Sequence, residues 1–111
     1  MVVSCNQRIV ADKVNIAHSF FTRFIGLMGK KKLGAGEGLL LMNCSAIHCF
    51  FMKMTIDAVY LSNDMTVLDI ETLTPWSIGR HVKHTAHVLE LSPNTAQFSA
   101  GDVLQLFENK R

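Results

Sequence analysis

The chain has 111 residues, 49% of them hydrophobic, and 11 basic against 9 acidic residues give a net charge of +2. That length suits one domain spanning residues 1–111, and the apolar fraction excludes a disordered chain. The near-balance of charge argues against a nucleic-acid or anionic-membrane partner, and a monomer or weak homodimer is expected. The first residues, MVVSCNQRIV, do not form a basic leader followed by an apolar stretch. No apolar run approaches the roughly 18 residues of a spanning helix. A soluble cytoplasmic protein is therefore expected, with its three cysteines held as reduced thiols.

In chain order, the first predicted element is a helix over Val14–Met28. Ala17, Phe20, Phe21, Phe24, Leu27 and Met28 recur there at helical spacing, and Gly29 with Lys30, Lys31 and Lys32 suits its end. The glycine-rich LGAGEG then leads into a short strand, Leu39–Met42. Ile56–Leu61 and Thr66–Leu73 form a hairpin through Ser-Asn-Asp-Met. In its second arm Leu68 and Ile70 are expected on one face, with Asp69 and Glu71 on the other. Thr85–Leu91 and Val103–Phe107 are two more strands, separated by turns at Ser92-Pro93-Asn94 and Ala100-Gly101-Asp102. The expected fold is mainly β, a small antiparallel sandwich or open barrel with one helix in the N-terminal half.

The segment RFIGLMGKKKLGAGEGLLLMNCSAIHCFFMKMTIDAVYL, followed by VLEL at Val88–Leu91 and the Gly101-Asp102 pair, resembles the signature of a bacterial and archaeal family called domain of unknown function 192. The resemblance runs from about Arg23 to Leu106. It implies a compact, mainly β domain and supplies no reaction. The polar positions matching the pattern are Arg23, Glu37, His48, Asp57, Glu90 and Asp102. Cys49 departs from it, standing where the family pattern has Thr, which speaks against an essential Cys49. Many relatives carry an export or anchoring leader; the first residues here do not show one, so a periplasmic placement is not carried over from the resemblance.

The stretch NCSAIHCFFMKMTID, residues 43–57, asks whether a metal, a thiol or plain packing is at work. Cys-x3-His-Cys is half of a structural zinc set. On a strand His48 and Cys49 point to opposite faces, so they do not converge on one ion. His48, Met52 and Met54 share a face in a way that suits Cu(I) but equally describes core packing. No metal and no cofactor are expected, and the cysteines read as small buried hydrophobes.

His48, at the entrance to FFM, is the residue singled out, as a general acid or base or a polar handle in a pocket. Asp57 and Glu90 interrupt apolar strands, where a charge is costly unless paired, at an edge or facing out. Trp76 and Arg80 lie on the loop TPWSIGRHVKHT, which suits binding. The leading expectation is a non-catalytic module binding a small molecule or protein segment near His48, with Arg23, Glu37, Trp76 and Arg80 around it. One alternative is a small hydrolase-like acid–base enzyme using His48 with Asp57 or Glu90. Another is an interaction subunit that pairs through a sheet edge.

Overall fold

A computed structural model describes residues 1–17, 33–45 and 54–108. These residues form eight strands: β1 (Val2–Cys5), β2 (Arg8–Ala11), β3 (Lys13–Ala17), β4 (Glu37–Leu41), β5 (Ile56–Leu61), β6 (Val67–Leu73), β7 (His87–Leu91) and β8 (Leu104–Phe107). Two sheets result, ordered β2-β1-β8 and β3-β4-β7-β5-β6. The mainly β expectation holds, and the two sheets do not close into a barrel. The pairing is not wholly antiparallel, because β3 and β4 run parallel.

The turn chemistry explains the breaks between strands. Asn6 and Gln7 both have positive φ, at 51° and 67°, which is the two-residue hairpin loop that matches strand twist between β1 and β2. Ahead of β4, the Glu37 amide donates to the Gly34 carbonyl at 3.1 Å and Gly36 has φ 77°. A Cβ at Gly36 would also fall 2.2 Å from Asp12 Oδ1. The Gly36 carbonyl in turn accepts from the amides of Asp12 and Lys13, so this turn holds the start of β3.

Val14–Ala17, the first turn of the predicted helix, is strand instead: Val14 pairs beside Gly38 and Ala17 beside Leu41. Val14 and Ile16 face the space between the sheets while Lys13 and Asn15 are exposed. That period-two pattern was hidden beneath the helical spacing of the phenylalanines that follow. The rest of the predicted helix lies outside the described residues. Among the described residues no helix is long and apolar enough to cross a membrane.

The β5–β6 hairpin forms as expected, with Met65 donating to the Ser62 carbonyl at 3.0 Å. The expected alternation of β6 fails at one point. Tyr60 faces Asp69 while Leu61 faces Val67, so Leu68 is an extra residue in the ladder. This bulge sends Leu68 and Ile70 to different clusters, Leu68 to that of Tyr60 and Ile70 to that of Val59. The last two strands start later than predicted. Val82–Thr85 closes a turn with His84 at φ 71°, leaving β7 to begin at His87, and Val103 makes only an isolated bridge to Thr66.

The centre of the five-stranded sheet is buried on both faces. Every residue of β5 and of β7 is buried. On the inner face Val14, Leu40, Val59 and Leu89 pack with Val3 and Leu104 of the smaller sheet. On the far face Leu39, Leu41, Ile56, Ala58, Tyr60 and Val88 form a second cluster, with Cys44 packed against it as a small hydrophobe. Each large side chain buried this way contributes about 1.5–3 kcal/mol.

Gln7 occupies a left-handed position that costs a side chain about 1–2 kcal/mol relative to glycine. Gln7→Gly should therefore raise stability by about 1 kcal/mol in urea denaturation, without altering the spectrum of the folded state.

Candidate functional site

The alternation of β7 sends Leu89 and Leu91 to the inner face and Val88 and Glu90 to the far face. Glu90 sits between Leu39 on β4 and Ala58 on β5, in the middle of the sheet. It is 3% exposed, and its Oε2 is buried with no hydrogen-bond partner. Burial alone pushes its carboxyl up to about 8, so near neutral pH the group is largely protonated.

One strand further along the same row, Ala58 faces Glu71 on β6. Glu71 Oε1 accepts from the Tyr60 hydroxyl at 2.8 Å and from the Arg80 amide at 2.9 Å. The Arg80 guanidinium reaches Glu71 Oε2 at 3.2 Å and also pairs with Asp69. Tyr60 is fully buried, and burial followed by its bond to Glu71 raises its phenol well above the ordinary range. Two carboxyl groups thus share the far face about 10 Å apart at the backbone, two strand spacings. Glu71 is engaged by donors and a cation, whereas Glu90 Oε2 has none.

Glu37 belongs to the same face by its alternation with Leu39 and Leu41, and its Oε1 accepts from the Gly34 amide at 3.1 Å. It caps the turn that precedes its own strand. Trp76 stands at φ 66° in the turn where Ser77 donates to the Thr74 carbonyl, and it is 62% exposed. The loop continues to Arg80 on Glu71 and to Val82 against the far-face cluster. Glu37, Arg80 and Glu90 therefore belong to one face of the sheet, with Trp76 on the loop along its β6 side. Arg23 and His48 lie outside the described residues.

Asp57 is on the other side of the sheet. It neighbours Leu91 and Thr72 in the ladder, and it is buried rather than facing solvent. Its Oδ1 accepts from Thr72 Oγ1 at 2.7 Å and its Oδ2 from the Asn94 amide at 3.0 Å. Both oxygens are occupied in fastening β5 to β6 and to the turn before β8. His87 shares the inner face, and its Nδ1 accepts from the Asn43 amide at 3.0 Å. Burial lowers its basicity, which fits a neutral ring carrying its proton on Nε2. Asp102 accepts from the Ser99 amide and closes the turn that carries the chain to β8.

Two clefts formed by described residues lie elsewhere. One, of about 410 Å³, runs along β2 to Ala35 and Gly36, and the other, of about 560 Å³, is lined by residues including Cys5, Arg8 and Thr95. Neither is lined by a predicted site residue. Tyr60, Asp69 and Glu71 were not singled out in the sequence. A strand as apolar as IDAVYL, buried on both faces, was the available signal, because it implies that its neighbour's charges are partly covered too.

The two buried carboxyls make opposite predictions for stability. Removing Asp57 orphans the Asn94 amide and the Thr72 hydroxyl, so Asp57→Ala should cost about 3 kcal/mol in urea denaturation. Glu90 stays protonated in the folded chain up to about pH 8, whereas in the unfolded chain it ionises near 4.5. The unfolded chain therefore sheds a proton that the folded chain keeps, and the contribution of Glu90 to stability falls as pH rises from about 4.5 through 8. Subtracting the profile of Glu90→Gln from that of the native chain should isolate a decline on the order of 4 kcal/mol across that window. A flat difference would mean that Glu90 titrates normally.

In sequence the chain is 41% identical over 81 residues to a UPF0127 protein of Pyrococcus horikoshii, a match covering 70% of each chain. It is 36% identical over 81 residues to a UPF0127 protein of Pyrococcus abyssi, covering 70% of this chain and 69% of that one. In structure it is similar to a protein of unknown function from Novosphingobium aromaticivorans, with a TM-score of 0.82, 18% identity, and coverage of 95% of this chain and 82% of the other. That likeness shows a shared fold. The family model called domain of unknown function 192, described as "Uncharacterized ACR", matches residues 1–106, so the match begins ahead of Arg23 and the chain belongs to that family.

Proposed function

We propose that this chain is a small soluble, cytoplasmic ligand-binding module whose anchor is Glu90 on the far face of the five-stranded sheet. The observation that carries this reading is the orphaned Oε2 of a carboxyl only 3% exposed in the middle of a sheet. A group so placed lowers stability, and hydrogen bonding or pairing within the chain would have offset that cost. Polar groups held in this way concentrate at functional sites, where a ligand supplies the missing partner. Glu71 and Arg80 line the same face as an already satisfied network, while Glu37 caps the turn at its β4 side.

The acid–base alternative pairs His48, which lies outside the described residues, with Asp57 or Glu90; of the two carboxyls Asp57 has both oxygens bonded, whereas Glu90 Oε2 has no partner. The binding site is therefore built on Glu90, with Trp76 and Arg80 at its β6 edge. His48 and Arg23, outside the described residues, stay in the proposal as family-pattern candidates for contact with the ligand.

A thermal-shift screen of small organic cations, anions and neutral hydrogen-bonding solutes tests the anchor. At least one class should raise the melting temperature of the native chain by a few degrees at millimolar concentration. The same solute should leave Glu90→Leu unmoved, although that variant melts higher to begin with. Equal shifts in both proteins, or no shift from any class, would remove Glu90 as the anchor.

A further inference from the structure

The cleft of about 560 Å³ between the β1–β2 hairpin and the segment after β7 has the size of a small-molecule site. Cys5, at the end of β1, is buried and forms its floor. Ile9 and Val10 of β2 give it an apolar wall, and Ile9 is 66% exposed. Arg8 stands on the hairpin side, and Thr95 and Gln97 stand opposite. Ala96 and Phe98 pack inward against the inner cluster, so alternation along the segment turns Thr95 and Gln97 the other way, toward the cleft. Arg8 and Gln97 are exposed, which leaves the cleft open to solutes.

The acidic side chains decide which solutes. No aspartate or glutamate occurs outside the described residues, so every acidic side chain of the chain is placed. None of them lines this cleft. Asp12 lies in the other cleft, beside Lys13. Asp102 accepts from the Ser99 amide, and it is felt at Cys5, where burial first and this carboxylate second hold the thiol above its ordinary range. The floor therefore stays uncharged near neutral pH. The ion pairs among the described residues belong to Arg80, and none holds Arg8. The charged side chains outside the described residues are all basic, so wherever they stand they add to the same selection for negative charge.

We infer that this cleft takes a small organic carboxylate, whose head meets the Arg8 guanidinium and whose apolar tail lies against Ile9 and Val10. The site is separate from Glu90 and does not depend on it. A guanidinium pairs with a planar carboxylate through two parallel hydrogen bonds, and the Gln97 amide stands across the cleft as a further donor. An organic cation would meet Arg8 as a like charge, and an inorganic anion would leave the apolar wall uncovered.

The test titrates the full ¹⁵N-labelled chain with n-hexanoate, n-hexylammonium, n-hexanol and inorganic phosphate at pH 7. Hexanoate should move the Arg8 Nε–H and Gln97 side-chain amide signals together and saturably, with a Kd on the order of 1 mM. Arg8→Ala should weaken binding roughly tenfold. Gln97→Trp should fill the cleft and abolish binding while leaving Arg8 in place. Both positions are exposed, and a dispersed amide spectrum confirms that each variant is folded. Affinity should be level from about pH 6 to 9, because arginine and an aliphatic carboxylate both keep their charge there. Equal binding of n-hexanol or n-hexylammonium would overturn the choice of a carboxylate, and equal binding of phosphate would reduce the site to an adventitious ion only. Native affinity in Gln97→Trp or Arg8→Ala, shifts centred on other residues, or no response to hexanoate would remove the site. A pH dependence centred on about 8 would assign the binding to Glu90 instead.

Discussion

The covering of β5 and β7 on both faces is the constraint on which the rest depends. A strand at the centre of a sheet has no solvent-facing side to which a polar residue can be sent, so each polar side chain there needs a partner or stands as a standing cost. Asp57, His87 and Glu90 are the three that occupy such positions. Asp57 holds Thr72 and the Asn94 amide, and His87 holds the Asn43 amide. Each of these bonds reaches a segment far away in sequence, so the inner-face polar groups act as rivets between elements. Glu90 has no such bond for Oε2, and that difference is what the proposal of Glu90 as an anchor rests on.

The bulge at Leu68 extends the argument to the edge of the sheet. Without the extra residue, regular alternation would put Leu68 and Ile70 on one face together. With it, Leu68 joins Tyr60 on the far face while Ile70 packs with Val59 on the inner one. Asp69 and Glu71 then lie beside Tyr60 and Ala58, where Arg80 can bridge them. Asp69 also accepts from the Ile70 amide at 2.8 Å, and a carboxyl folded over its own strand edge helps blunt pairing with other chains. An edge so protected gives little support to an interaction subunit that pairs through β6. Arg80 is more than half exposed, so its ion pairs contribute modestly to stability, and their larger effect is to fix the loop that carries Trp76 beside the far face.

Much of this was legible in the sequence. The hairpin of β5 and β6, the glycine-rich turn at Gly36 and the turn at Asp102 follow from local chemistry that leaves a mark in composition. Glu90 stood out because a charge interrupts HVLELS. What one sequence did not disclose is which interrupting charge is satisfied, because Asp57 finds its partners 15 and 37 residues away. The strand at Val14–Ala17 was concealed because a five-residue period-two pattern was read together with a longer helical one. The bulge left no signal at all, since a one-residue slip changes the facing of side chains without changing their identity.

Cost and position together say what kind of residue Glu90 is. A domain of this size is stable by about 5–15 kcal/mol, and a buried carboxyl that ionises only near pH 8 takes a noticeable share of that margin at neutral pH. Leucine at the same place, flanked by Leu39 and Val88, would have extended the apolar cluster at no such cost. Among the described residues the same face carries Glu37, Asp69 and Glu71, Arg80 pairs with the last two, and the neighbours Leu39, Ala58 and Val88 are hydrocarbon. A carboxyl kept there gains most from a partner for Oε2, because a hydrogen bond or an ion pair at that one atom would offset the cost of its burial.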